Sequence, residues 1–164
     1  MLIANLFLAA VSGLVGAIVL TVLVYIFSGV GIKMDIPYLL GTRFSKSDSK
    51  SQAYIVGIIL FLLIGAFWGF FYVTLMMGLS ELPSWEFGLL YGFGHGFFMG
   101  VIISTFADSH PKVGEGKLIP DPGMFGANWG ALVPAAIIIA HMIFGVITIF
   151  TYNHIYHPVH MPRV

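Results

Sequence analysis

The 164-residue chain contains no cysteine. That absence excludes disulfides, thiolate metal sites, a cysteine nucleophile and palmitoylation. Charge is nearly as scarce. Only 9% of the residues are charged, well short of the proportion with which soluble domains solvate their surfaces. Seven basic residues balance seven acidic ones. A nucleic-acid binder needs a basic stripe to meet phosphate, and an acidic disordered tail needs surplus carboxylate, so neither class fits. Catalytic patterns are missing too. The chain has no Gly-x-Ser-x-Gly, no phosphate-binding glycine loop and no His-Glu-x-x-His. Its loop aspartates, Asp35 with Asp48 and Asp108 with Asp121, stand near basic residues and read as balancing loop charge.

What the chain has is apolar length. Residues 1–32, 51–80, 87–107 and 122–162 carry no Asp, Glu, Lys or Arg. About 20 apolar residues suffice to cross a bilayer as a helix. The chain therefore reads as one all-α, polytopic membrane domain over 1–164, a bundle of four transmembrane helices near 4–28, 53–78, 85–107 and 129–153. The first apolar run has no basic leader and is too long for a signal-peptide core, so it reads as a retained span. Pro134 leaves two options for the fourth helix. It starts near Val133 with Pro134 in its first turn and Gly123 to Leu132 lying at the interface, or it starts near Asn128 and kinks.

The basic residues set an expected topology. Lys33, Arg43, Lys46 and Lys50 lie in the first connection, and Lys112 and Lys117 in the third. The short second connection, around Glu81 and Pro83, has none, and the C-terminal tail has only Arg163. By the positive-inside rule, loops 29–52 and 108–127 face the cytoplasm and both termini lie outside. Ser45 to Ser51 reads as a solvated, mobile stretch, and Asp108 to Phe125 as a loop without regular structure. His110 reads as a solvated loop residue. Ile36-Pro37 and Ile119-Pro120 precede the second and fourth helices about half a chain apart. This match would suit two parallel helical-hairpin repeats, and chance accounts for it equally well.

Small residues mark the helix faces. Gly88, Gly92, Gly96 and Gly100 recur every four residues on the third helix, with His95 and Met99 on the same side. The second helix carries Gly57, Gly65 and Gly69 beside Trp68 and Tyr72. The fourth aligns His141, Gly145, Thr148 and Tyr152 on one stripe. In lipid, small residues let backbones approach, so these are packing faces, either within the bundle or against another protein.

His95 and His141 are the ionisable side chains nearest the midplane, and antiparallel neighbours would bring them to similar depth. Three readings are open. They are polar glue, bonded to Thr148, Ser104 or a backbone carbonyl. They hold a cofactor, haem b or another macrocycle, with the flanking glycines leaving room for a flat ring. Or they relay protons or line a solute path, without the carboxylate such paths usually include. At the C-terminus, His154, His157 and His160 have the spacing of a copper or zinc ligand set. Pro158 prevents one helix from presenting all three, and polar residues at the membrane exit explain them equally.

The stretch from Asp121-Pro122-Gly123-Met124-Phe125-Gly126 through His141-x-x-x-Gly145 to Tyr152, with Met34-Asp35-Ile36-Pro37 before Leu-Leu-Gly, resembles small uncharacterised four-helix membrane proteins of bacteria and archaea. The resemblance covers about half the chain. It implies the four-helix fold and a prokaryotic inner-membrane location, and it assigns no chemistry to any residue. The expected function is a non-catalytic accessory or structural subunit of a larger respiratory, photosynthetic or oxidase-type complex, with the bilayer and other membrane subunits as partners. An electron-transfer protein using His95 and His141, and a small transporter or channel, are the alternatives.

Overall fold

The structure is a computed structural model that describes residues 2–45, 49–79 and 84–156. It is all-α, with four helices long and apolar enough to span a membrane. Helix α1 covers Leu2–Gly29, α2 Ile36–Phe44, α3 Lys50–Gly78, α4 Trp85–Asp108 and α5 Val133–Ile155. A 3-10 turn, Met124–Trp129, precedes α5. Pro134 lies in the first turn of α5, where its missing N–H costs nothing, so the helix starts at Val133 rather than kinking. The Trp129 indole N–H donates to the Pro120 carbonyl at 2.9 Å and ties the segment before α5 to the preceding loop.

The long helices are ordered α3–α1–α5–α4. Helix α1 packs on both α3 and α5, and α5 packs on both α1 and α4. Glycines make each close approach possible. A Cβ on Gly13 or Gly69 would overlap backbone atoms of the facing helix, which fixes α1 against α3. Gly88, Gly92, Gly96 and Gly145 do the same for α4 and α5. Gly65 takes the Ala17 side chain, and Gly100 takes the Phe125 ring of the 3-10 turn instead of a helix. The packing faces read from the sequence are thus largely occupied within the chain. Tyr72, Met76, Ala140, Phe144 and Ile149 fill the core between α1, α3 and α5.

Helices α3 and α4 are consecutive, yet their backbones stand apart. The short helix α2 closes that opening at one end. Asp35 caps it by accepting the Tyr38 amide at 3.1 Å, and Pro37 sits in its first turn. The Tyr54 hydroxyl donates to the other Asp35 oxygen. Asp35 is therefore a capping and tethering residue, beyond the charge balance expected of it. Gly41 abuts the Ala53 carbonyl and Gly57 abuts the Pro37 carbonyl, so α2 lies directly on α3. On its other side Leu39 packs with Ile103 and Ala107 of α4.

The connections hold more than open loop. The third has no helix or strand before the 3-10 turn at Met124, as expected, yet it folds back as a cap, with Val113 and Ile119 buried beside Leu39 and bridged to each other. Asp121 accepts the Gly123 amide at 2.8 Å, which shapes the turn. In the first connection, Ile36 to Phe44 is helical; residues 46–48 of the stretch expected to be solvated lie outside the described residues. The two Ile-Pro dipeptides occupy unlike places: Ile36-Pro37 opens α2, while Ile119-Pro120 lies in irregular chain.

His110 belongs to this cap and is 2% exposed, not solvated. The Lys112 amide donates to its Nδ1 at 3.1 Å, so the neutral ring carries its hydrogen on Nε2 and donates to the Leu39 carbonyl at 3.1 Å. Burial, with the nearby Arg43 and Lys112 charges, holds the imidazole below its usual value against the pull of its backbone hydrogen bonds. The folded chain thus binds this proton less readily than the unfolded chain. The contribution of His110 to docking α2 is complete above the unfolded value of about 6.5 and is lost progressively as pH falls below it. We expect hydrogen exchange of the α2 amides, corrected for intrinsic rate, to be faster at acidic pH. His110→Gln, which can still donate to Leu39, should remove that acid dependence; persistence of the full dependence would assign it elsewhere.

Candidate functional site

The interior polar cluster lies where α3, α4 and α5 meet. Gly92 and Gly96 draw α4 onto the α5 backbone at His141 and Ile138, and this approach brings His95 to His141. Their ring centroids are 4.6 Å apart, edge to face at 73°. On the α3 side the Trp68 ring lies over His95 at 3.9 Å. Tyr72, 1% exposed, places its hydroxyl 3.0 Å from His95 Nδ1. Among the described residues this is the only hydrogen-bond partner of the Tyr72 hydroxyl, so we assign its proton to that bond. The neutral His95 ring then carries its own hydrogen on Nε2.

His141 is held differently. Its Nδ1–H donates to the Ile137 carbonyl one turn back, at 2.7 Å. In a neutral imidazole that leaves Nε2 as an acceptor. No hydrogen bond joins His95 to His141 among the described residues. The expected partners Thr148 and Ser104 are not used by either histidine. Ser104 donates to the Val101 carbonyl at 2.9 Å. Thr148 is fully buried against Gly16 of α1, and its hydroxyl has no hydrogen-bond partner among the described residues.

Two hollows flank this cluster. Toward α2 is a cavity of about 280 Å³ reached by all five helices. Its walls are apolar, including Leu20, Leu40, Phe61, Ile102 and Phe106, and its one polar side chain is His141. Toward the α3–α4 connection is a cleft of about 270 Å³, lined by Trp68, Phe71, Leu90, Gly94, His95 and Phe98 among others. The histidine–tryptophan cluster stands between them.

A macrocycle held between the two histidines does not fit this arrangement. Metal–imidazole bonds of about 2.0–2.1 Å place two opposed ligand nitrogens about 4 Å apart, and ring centroids further still. The His95 and His141 rings touch instead. On the side facing His141 the glycines leave no slot for a flat ring, because α5 fills the space at Gly92 and Gly96; Gly94 opens instead on the α3–α4 cleft, whose lining does not include His141. No group of three His, Asp or Glu side chains able to hold a metal gathers among the described residues. His154 is exposed at the end of α5, and His157 and His160 lie outside the described residues.

The sequence singled out both midplane histidines but named Trp68 and Tyr72 only as neighbours of glycines. An aromatic and a tyrosine one turn apart beside a small-residue face were the available signal. Their partner was not readable, because no pattern in the sequence says that α3 reaches α4 through side chains alone. No protein-family model, no curated protein and no solved structure matches this chain.

Proposed function

We propose that the chain is a non-catalytic subunit of a larger membrane complex, of respiratory, photosynthetic or oxidase type, and that it docks through the open edge between α3 and α4. One observation carries this reading. Helix α4 has five glycines; α5 or the Phe125 ring covers four of them, and a Cβ on the fifth, Gly94, would meet nothing within 4 Å. Gly94 lies in the α3–α4 cleft. A small residue at an uncovered cleft is where a further transmembrane helix can approach closely. Leu90 and Phe98, 61% and 49% exposed, flank it and would supply the side-chain contact.

The resemblance to small prokaryotic four-helix proteins supports a prokaryotic cytoplasmic membrane. The orientation has its own support. Lys33, Arg43, Lys50, Lys112 and Lys117 all fall at the α2 end of the bundle, which we place in the cytoplasm, with both termini outside.

Native electrophoresis of membranes solubilised in mild detergent tests the subunit reading. The protein should migrate with a stoichiometric partner. Gly94→Leu, whose Cβ would enter open space, should leave the fold intact and release the partner. Recovery of the wild-type protein only as itself would contradict the proposal.

A further inference from the structure

We infer that the apolar cavity beneath α2 is a binding site for a lipid-soluble molecule carrying a hydroxyl group, an alkylphenol or a long-chain alcohol, with His141 Nε2 as the acceptor. This site is separate from the α3–α4 edge and does not depend on the subunit reading.

Three features carry it. The first is shape: at about 280 Å³ the hollow approaches the lower end of small-molecule sites, and α2 forms one of its walls through Leu39, Leu40 and Phe44. The second is that α2 is built into place. Its backbone abuts α3 at Gly41 and Gly57, and the His110 ring donates to Leu39 from the loop after α4. The hollow is thus roofed by a dedicated element that the membrane spans alone would not provide.

The third feature decides the ligand class. An apolar hollow in a bilayer can accept any acyl chain, but this one has a single polar side chain in its wall. The Ile137 carbonyl takes the His141 Nδ1 hydrogen at 2.7 Å, so the tautomer is set and Nε2 offers a lone pair. A ligand hydroxyl can donate to that lone pair. A ketone or ether oxygen brings a second lone pair and cannot. The site should therefore select for a hydrogen-bond donor and accept an aliphatic or aromatic body with little further discrimination.

The test uses purified full-length protein in lipid nanodiscs, with 4-octylphenol, its methyl ether and 1-decanol as probes. Binding is followed by isothermal titration, and nitrogen NMR of the histidine-labelled protein reports on the His141 Nε2. We expect the phenol to bind about five-fold more tightly than the ether, the ratio that one net neutral hydrogen bond provides. The Nε2 resonance should shift with phenol and not with ether. His141→Leu should abolish the preference. Ile102→Trp keeps the histidine and fills the hollow, so it should weaken all three probes and guards against misfolding of the His141 variant. Decanol binding close to the phenol is the expected result, since the wall discriminates little between bodies, and markedly weaker binding would narrow the class to phenols. Equal affinity for phenol and ether, a preference that survives His141→Leu, or no binding by wild type would overturn the inference.

Discussion

Leucine at Gly92 should prevent α4 from closing on α5, and the protein should fail to accumulate. A Cβ at this position would already overlap the His141 carbonyl oxygen and crowd Met142 Cα. Both are backbone atoms, so no rotamer change relieves the contact and the helices must separate. Gly88 and Gly145 oppose each other one turn away, and neither can absorb the displacement. Overpacking of a filled interior costs about 1–3 kcal/mol, and more where backbone must move. Separation would also pull His95 from His141 and from the Trp68 and Tyr72 side chains that reach it across the α3–α4 gap. Gly92→Ala should be milder but still destabilising. Detergent thermal-stability measurements give the ranking, with Gly94→Leu close to wild type. A Gly92→Leu protein that accumulates and melts like wild type would show that this interface is looser than described.

The second large effect should come from Gly41→Leu. Helix α2 has only nine residues, too few to hold a helix by itself in water or at an interface. It depends on the Asp35 cap, the His110 contact and the direct seating of Gly41 on Ala53 and of Gly57 against Pro37. A leucine at Gly41 removes that seating on both sides at once, because its first carbon would overlap the Ala53 carbonyl oxygen and the two glycines face each other. The expected result is selective. The α2 amides lose hydrogen-exchange protection by at least an order of magnitude, while α1 and α5 keep theirs. Leu39 would leave Ile103 and Ala107, and the cavity would lose its roof. Uniform loss of protection along the whole chain would mean that α2 is part of the global fold rather than an added element.

The spans were legible because lipid demands long uncharged runs, and four such runs are plain in the sequence. The glycine periodicity gave the packing faces for a similar reason. It did not give the partners: Gly57 meets α2, Gly65 and Gly69 meet α1, and Gly100 takes an aromatic ring. Periodicity defines a direction on one helix and carries nothing about what lies in that direction. Helix α2 is not legible in the sequence although Asp35 and Pro37 are capping signals, because a nine-residue helix is too short for its own apolar stripe to stand out. In sequence His110 looks solvated because its neighbours Ser109, Pro111 and Lys112 are loop residues; the Leu39 carbonyl it bonds to is 71 positions away. The pairing of His95 with His141 could be expected from depth alone, whereas the uncovered edge at Gly94 depends on where α5 stops covering α4.

The docking edge is tested most directly in native membranes. A photo-crosslinking side chain is placed at Leu90 or Phe98, beside the α3–α4 cleft, and for contrast at Phe150 on the exposed side of α5. On our account the two cleft positions capture one and the same polypeptide in a discrete product, and Gly94→Leu abolishes it, while Phe150 yields lipid adducts. Lipid adducts alone at Leu90 and Phe98, with no discrete protein product, would contradict it.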